Sequence, residues 1–304
     1  MTSAKAPKAA DAIQPVDATG MGLPEDVSPA TPYPYLMEGA NEAVRLRVKD
    51  RADATSTQLQ VTGFAELCNA AHVVDAGTGV GVVAMQMAKL AEVAHRQLTL
   101  TLLDGSAQRL AAARDNLRPY RSLAPRLAVC DLGCIPLPSD SVDYLFCRFV
   151  FEYLTNPQRV FDEFTRILKP GGKLVIGDLD HNGVNHYPLS HELETQLHEL
   201  IGAVERSAVF DFYAGRKLYG YFHAAGYQQI NVHMYAHHLF YGALDPNDEY
   251  NWTMKLDRLV DLQRQNALDV SFDLTEFRTR MLEFLRSPGR FSYTPLILVE
   301  GVKA

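Results

Sequence analysis

The chain of 304 residues is long enough for one large or two small domains with a full hydrophobic core. Its formal net charge of −7 argues against a general nucleic-acid surface, which needs clustered lysine and arginine. No apolar run approaches the length of a membrane span, and the four cysteines show neither paired metal-ligand spacing nor the framework of a secreted protein. We therefore expect a cytoplasmic protein with free thiols, no nucleic-acid partner and no membrane contact.

The N-terminal part of the chain differs in composition from the rest. Residues 1–32 are rich in Ala, Pro, Ser, Thr and Asp without hydrophobic periodicity, which predicts a disordered tail. They also lack the apolar segment that a secretory signal requires. Residues 33–70 predict a helical cap, and residues 71–304 predict the main domain.

A glycine-rich loop joins a predicted strand to a predicted helix within residues 73–88. Val73 and Val74 lead into Asp75, glycines occupy positions 77, 79 and 81, and an apolar run of helical character follows. Glycine lets the backbone turn sharply and lets a ligand lie against the chain. The pattern predicts a binding loop in which Asp75 orients the loop or accepts a bond from a bound ammonium group. A plain structural turn is the alternative.

The following strands also end in polar residues. Residues 98–103 form a predicted strand that ends in Asp104, with Gly105 and Ser106 at the start of the next helix. The third predicted strand, residues 126–129, ends just before Asp131. Because open α/β sheets bind ligands at the carboxyl edge of their strands, we expect these side chains to lie around one site.

Three further motifs accompany the glycine loop: L-P-x-x-x-x-D at 137–143, R-F-V-x-E-x-L at 148–154 and L-K-P-G-G at 168–172. Together with the G-x-G-x-G loop, they resemble the class I S-adenosylmethionine (SAM) methyltransferases, in particular the ubiquinone, menaquinone and natural-product enzymes. The resemblance covers residues 39–180 and is looser beyond them. It implies a Rossmann-like α/β sandwich with a mostly parallel seven-stranded sheet and an antiparallel last strand. It also implies helical insertions at about 181–225 and 242–289 that enclose a pocket.

The same resemblance implies which residues hold SAM and its product, S-adenosylhomocysteine. Asp104 would accept both ribose hydroxyls, Asp131 would bond the adenine amino group, and Arg45 would approach the SAM carboxylate. The alternatives are a helix N-cap for Asp104 and a solvated surface arginine for Arg45. The predicted cofactor-binding residues are Arg45, Asp75, Gly77, Thr78, Gly79, Asp104, Gly105, Ser106, Asp131, Leu132, Arg148 and Phe149.

Methyl transfer from a sulfonium mainly requires that the acceptor be placed in line and water be excluded. A base is needed mainly for a hydroxyl or an enol-type carbon. His181, just past the fifth predicted strand, is the first candidate for that base, and the nearby Asp178 is the second catalytic candidate. A polar loop histidine is the alternative for His181. The predicted residues of the substrate pocket are Tyr33, Tyr35, Tyr153, His186, Phe212 and Tyr213.

Metal binding is not expected, because His186 and its neighbouring carboxylates form no compact ligand motif. His237 and His238 are adjacent in a predicted strand, so we expect them to point to opposite faces and not to form a ligand pair.

The sequence thus predicts a SAM-dependent methyltransferase that acts on a small organic acceptor, such as a secondary metabolite or a quinone-like molecule. Oxygen is favoured over carbon or nitrogen as the acceptor atom. A non-catalytic SAM-binding regulator or subunit and an NAD-dependent oxidoreductase are the alternatives. The sequence leaves the oligomeric state open, although an N-terminal helix that reaches a neighbour's pocket would be a route to a homodimer.

Overall fold

A computed structural model describes residues 52–120, 125–207 and 210–304. The predicted tail, most of the predicted helical cap, and the candidate site residues Tyr33, Tyr35 and Arg45 lie outside these ranges. The described helices are α1 (Ala52–Val61), α2 (Val82–Val93), α3 (Ala107–Leu117), α4 (Pro157–Ile167), α5 (His191–Arg206), α6 (Ala214–Ala224), α7 (Pro246–Arg264) and α8 (Leu274–Arg286). The described strands are β1 (His72–Ala76), β2 (Thr99–Asp104), β3 (Arg126–Val129), β4 (Val142–Arg148), β5 (Leu168–Leu179), β6 (Asn185–Tyr187), β7 (Gln228–Phe240) and β8 (Phe291–Val302).

The strands form one sheet in the order β3-β2-β1-β4-β5-β8-β7. The pairs from β3 to β5 are parallel, whereas β8 is antiparallel to both β5 and β7. The short strand β6 pairs with the first residues of β8, on the same side of β8 as β5. The predicted mostly parallel sheet with an antiparallel last strand is therefore confirmed, and β6 is an addition to the seven predicted strands.

The sheet is covered on both faces, which explains why most residues of its central strands are apolar and buried. Successive residues of a strand point to opposite faces, so Val74 and Leu145 pack in one buried cluster while Val73 and Phe146 pack in another. Helices α4 and α6 contribute to the first cluster, and α1, α2 and α3 contribute to the second. This is the predicted α/β sandwich.

Helix α4 illustrates how the sequence specifies an element locally. The side chain of Asn156 caps its N-terminus by accepting a hydrogen bond from the Arg159 N–H at 3.2 Å, and Pro157 occupies the first turn. Phe161 and Phe164 lie one turn apart on the buried face. The helix ends at Ile167, and β5 begins at the next residue, Leu168.

A third buried cluster lies outside the sandwich. It is formed by apolar side chains of α5, α7 and α8, including Leu200, Trp252 and Phe277. These three helices belong to the two regions in which the sequence predicts helical insertions. Their apolar faces pack on one another, so this part of the chain has a core of its own.

The paired histidines of β7 differ from expectation. The pairing of β7 with β8 shifts register between Ala236 and His238, and such a bulge interrupts the alternation of side chains. The rings of His237 and His238 therefore lie with their centroids 4.3 Å apart. The prediction that they point to opposite faces is wrong.

Helix α6 approaches β5 closely enough to generate a stability prediction. A Cβ at Gly215 would lie 2.8 Å from the backbone oxygen of Asp178, whereas a Cβ at Gly220 of the same helix would meet nothing within 4 Å. We expect Gly215→Ala to lower the free energy of unfolding by about 1–3 kcal/mol through overpacking. Gly220→Ala should raise it by up to about 1 kcal/mol, because alanine favours the helix. Urea unfolding measures both, and equal effects of the two variants would contradict the close approach.

Candidate functional site at the carboxyl edge of the sheet

The glycine loop between β1 and α2 is held against the neighbouring strand. The N–H groups of Gly77 and Thr78 donate to the Leu103 carbonyl at 2.8 and 3.0 Å. Gly77 has a φ of +71°, and a Cβ there would lie 2.3 Å from Cγ2 of Val150. Glycine is therefore required at this position both by the backbone conformation and by the space available.

Asp104 at the end of β2 connects this loop to the next one. Its Oδ2 accepts from the Gly79 N–H at 2.9 Å, and its Oδ1 accepts from the Ser106 N–H at 2.9 Å and from Nε of Arg109 at 3.0 Å. The helix cap itself is Ser106, whose hydroxyl accepts from the Arg109 N–H. The side chain of Asp104 is thus fixed in orientation, and its Oδ2 retains acceptor capacity for a ligand hydroxyl.

Asp75 is a buried carboxyl group directly beneath the glycine loop. Its Oδ2 accepts a hydrogen bond of 2.6 Å from the hydroxyl of Thr78. Burial raises the pKa of Asp75 to about 6, although the Thr78 bond and the charge of Arg148 act in the opposite direction. A buried carboxylate of this kind is suited to a positively charged ligand group, which would lower its pKa again.

Arg148 and Phe149, at the end of β4, connect the sheet edge to α1. Nη1 of Arg148 donates to the side chains of Thr55 at 2.8 Å and Gln58 at 2.9 Å. The guanidinium lies 4.9 Å from the centroid of the Phe149 ring, which also contacts the ring of His237 at 4.8 Å. Phe149 has a φ of +60°, a backbone conformation that is strained for an aromatic residue. Strained conformations of this kind cluster at functional sites.

The loop after β3 completes the edge. Oδ1 of Asp131 accepts from the Gly133 N–H at 2.8 Å, and Leu132 is buried beside it. The parallel strands β1 to β4 therefore bring one group of predicted cofactor-binding residues to a common edge. That group is Asp75, Gly77, Thr78, Gly79, Asp104, Gly105, Ser106, Asp131, Leu132, Arg148 and Phe149.

His181 is placed in an ion-pair cluster. Arg216 donates to both carboxylate oxygens of Asp180 at 2.8 Å, and its Nη2 lies 2.8 Å from Nδ1 of His181. Burial raises the pKa of Asp180, but the Arg216 bonds outweigh it and the net pKa lies below its usual range. The ring of Tyr213 packs against both His181 and Arg216. The cluster gives His181 and Tyr213 structural partners.

Asp178, the other predicted catalytic residue, is fully buried at the end of β5. Its Oδ2 accepts from the Glu152 N–H at 3.1 Å, and its Oδ1 accepts from the Leu179 N–H at 2.8 Å. Asp178 therefore fixes the short helical turn Phe151–Tyr153 that follows β4.

Beside this turn lies a cavity with about 840 Å³ of empty space, part of it open to solvent. Of the predicted pocket residues, Tyr153 and Phe212 line it. The lining residues are Tyr153, Asn182, Gly183, Leu197, Leu200, Ile201, Val204, Phe210, Phe212, Trp252, Lys255, Leu256, Arg258, Leu259, Phe277 and Met281.

His186 and Tyr213 are not among the lining residues. His186 contacts the ring of Trp252 at a centroid distance of 5.7 Å, and its nitrogens lie 2.8 Å from the Ser292 hydroxyl and 3.0 Å from the Gly183 carbonyl. Burial lowers the pKa of His186 to about 4, so the ring is neutral. His186 therefore supports the wall of the cavity through Trp252.

Sequence reasoning missed Glu152, Asn182 and Trp252 as site residues. Glu152 and Asn182 are buried polar residues bonded to each other at 3.1 Å. Glu152 was visible only as an acid within an aromatic segment of the R-F-V-x-E-x-L motif. Residues 152, 182 and 252 come close together only through the packing of the helices. Their spacing in the sequence therefore does not predict that they are neighbours.

Within residues 52–120, 125–207 and 210–304, no group of three or more His, Cys, Asp or Glu side chains is placed to hold a metal ion. No helix in these ranges combines the length and the apolar character needed to cross a membrane.

The strand order and the ligand-binding edge define the class I methyltransferase fold. Residues 74–176, which run from β1 into β5, match the family model described as a methyltransferase domain. This part of the chain is therefore similar to a methyltransferase domain.

Two curated proteins are similar in sequence to part of this chain. A malonyl-[acyl-carrier protein] O-methyltransferase of Laribacter hongkongensis is 31% identical over 137 residues, covering 43% of each chain. The ubiquinone/menaquinone biosynthesis C-methyltransferase UbiE of Bordetella parapertussis is 36% identical over 104 residues, covering 34% of this chain and 39% of the relative. The chain thus spans about two fifths of the length of these curated relatives.

A solved structure extends the comparison to most of the chain. The [4+2]-cyclase SpnF covers 83% of this chain and 82% of its own, with a TM-score of 0.52 and 16% identity. Identity at this level shows a common fold alone. Because a cyclase has this fold, the fold does not decide the reaction.

The raised pKa of Asp75 predicts a pH-dependent stability. Since the pKa of Asp75 in the folded state, about 6, exceeds its ordinary value of 3.8, the folded state binds the proton more tightly. The contribution of Asp75 to the free energy of unfolding therefore falls by roughly 3 kcal/mol as pH rises from about 4 to about 6. Above pH 6 this contribution stays constant. We expect Asp75→Asn to gain stability relative to the wild type over this window. Urea unfolding from pH 4 to pH 8 measures it, and a pH-independent difference would contradict the assignment.

Proposed function

We propose that the protein is a SAM-dependent methyltransferase that methylates a small organic acceptor, at oxygen rather than carbon or nitrogen. The observation that carries the proposal is the match of residues 74–176 to a methyltransferase domain, with Asp75, the glycine loop and Asp104 assembled at one sheet edge. SAM supplies a methyl group on a positively charged sulfur, so the donor is already activated.

The groups at the edge fit the polar parts of SAM. Oδ2 of Asp104 would accept from a ribose hydroxyl while the Gly79 bond holds it in place. The buried Asp75 would accept from the ammonium of the amino acid portion, whose charge offsets the cost of its burial. Asp131 and Leu132 would flank the adenine, as the family resemblance implies.

The cavity beside the Phe151–Tyr153 turn supports a small acceptor. Its lining is mostly apolar, which favours a molecule with an apolar body and excludes water from the reaction. The two curated relatives by name methylate at oxygen and at carbon, so similarity alone does not choose the acceptor atom. We favour oxygen because Asn182 lines the cavity and bonds the buried Glu152, and one oxygen of each side chain has no hydrogen-bond partner among the described residues, which suits a hydroxyl.

Other parts of the proposal follow from the sequence. We propose that residues 33–70 and the insertions at about 181–225 and 242–289 enclose the acceptor, with residues 1–32 as a tail. A secondary metabolite or a quinone-like molecule remains the proposed acceptor, in a cytoplasmic and homodimeric enzyme.

Two alternative functions make different predictions. An NAD-dependent oxidoreductase is disfavoured by the G-x-G-x-G spacing and by the antiparallel β8. A non-catalytic SAM-binding protein would bind SAM and methylate nothing. Turnover of any acceptor separates that alternative from the proposal.

Titration calorimetry with S-adenosylhomocysteine tests the proposal. We expect the wild type to bind in the micromolar range and Asp104→Asn to bind at least about tenfold more weakly, because a charge-assisted bond is lost. The matched control is Asp115→Asn, an exposed carboxylate on α3 that pairs with Arg118 and should not change affinity. No binding to the wild type, or equal binding by both variants, would contradict the proposed donor site.

A further inference from the structure

Glu152 lies in the Phe151–Tyr153 turn and is bonded to Asn182, which lines the cavity. Its N–H donates to Oδ2 of Asp178 at 3.1 Å, and its carbonyl accepts from the Asp211 N–H at 2.8 Å. Only 1% of the residue is exposed. Because both backbone groups are bonded, the carboxyl group has a defined position.

The side chain of Glu152 uses only part of its bonding capacity within the described residues. Oε2 accepts from Nδ2 of Asn182 at 3.1 Å, while Oε1 is buried with no hydrogen-bond partner among the described residues. Oδ1 of Asn182 is also buried with no hydrogen-bond partner among the described residues. Burying such groups without a partner is unfavourable and rare in native proteins. Two unpartnered acceptor atoms on one bonded pair therefore indicate a ligand that donates a hydrogen bond.

Trp252 adds a donor to the same cavity. Trp252 and Asn182 both line it, and Nε1 of Trp252 is buried without a hydrogen-bond partner in the described part of the chain. The indole packs closely on Gly183, where a Cβ would lie 3.0 Å from Cη2, and it contacts His186. Buried tryptophan N–H groups usually have a partner.

The rest of the cavity specifies the body of the ligand. Helices α5, α7 and α8 contribute apolar side chains to its wall, among them Leu197, Leu200, Leu256 and Met281. A mostly apolar wall with few polar side chains, namely Asn182, Lys255 and Arg258, favours an apolar molecule that carries a polar group.

We propose that the Glu152–Asn182 pair and Trp252 form the polar end of the acceptor site and select an apolar molecule with a hydroxyl group. A hydroxyl is both donor and acceptor, so its hydrogen is accepted by Oε1 of Glu152 and its oxygen can accept from a buried donor such as Nε1 of Trp252. The inference rests on the proposed function, since it names the class of molecule that is methylated.

The test uses simple probes and an internal reporter. Trp252 is the single tryptophan of the chain, so its fluorescence reports on the cavity. The full-length protein is titrated with 1-octanol and with its methyl ether, which differ in one hydrogen-bond donor. We expect the wild type to bind the alcohol about tenfold more tightly than the ether, because the ether leaves the Glu152 carboxylate without a donor.

Glu152→Gln changes the chemistry with little change in shape. The amide oxygen can keep the bond from Asn182, which places an N–H₂ donor where Glu152 offers an acceptor. We expect the alcohol-to-ether preference to fall to about one or to reverse. Glu152→Asp keeps the carboxylate but withdraws it by one methylene, so it should bind the alcohol more weakly and the ether as before. This second variant keeps the test available if Glu152→Gln fails to fold.

Glu300→Gln is the matched control. Glu300 is a buried glutamate of β8 that bonds Lys173 and His233, and neither of these partners lines the cavity, whereas the partner of Glu152, Asn182, does. Its replacement should leave the alcohol-to-ether preference at the wild-type value, provided that circular dichroism shows a folded protein.

Three results would overturn the inference: no fluorescence change with either probe, equal wild-type affinity for both probes, or an unchanged preference in folded Glu152→Gln. Titration with S-adenosylhomocysteine separates this failure from failure of the methyltransferase proposal. We expect Glu152→Gln to bind S-adenosylhomocysteine as the wild type does. A wild type that prefers the alcohol but does not bind S-adenosylhomocysteine would retain the hydroxyl-selective cavity and refute methyl transfer.

Discussion

The Asp104 carboxylate is the constraint on which the rest of the site depends. One of its oxygens holds the glycine loop through Gly79, and the other holds the second loop through Ser106 and Arg109. These bonds join the ends of two adjacent parallel strands. The loop then has one conformation, in which Asp75 lies beneath it and bonds Thr78. A ligand would meet a preformed surface, which lowers the entropy cost of binding.

Several polar groups of the site are buried, and their burial is unfavourable for folding. Asp75, Asp178 and Glu152 are all buried carboxyl groups near the carboxyl edge. Asp178 has backbone donors on both oxygens, so its burial is compensated. Asp75 and Glu152 are compensated only in part, and both face the regions assigned to ligands. Buried polar groups of this kind are retained where a bound molecule completes their hydrogen bonds.

The donor and acceptor parts of the site have different origins in the chain. The methyltransferase match ends at residue 176, within β5. The helices that line the cavity, α5, α7 and α8, all follow that point and pack on one another in a separate apolar cluster. Under the proposed function, the groups assigned to the donor lie within the matched segment and the walls assigned to the acceptor lie after it, so a change in these helices alone would change the acceptor site.

The sequence by itself determined the sheet, the glycine loop and the acidic residues at the strand ends, because these features depend on local periodicity and on fixed positions relative to a strand. Asp104 and Asp131 could be placed at one edge since parallel strands align their carboxyl ends. Only the tertiary structure decided the partners of side chains far apart in the chain. It brought Glu152 to Asn182 beside Trp252, placed His181 with Arg216, and turned His237 toward His238 through a bulge. Those contacts depend on helix packing and strand register, which no local pattern encodes.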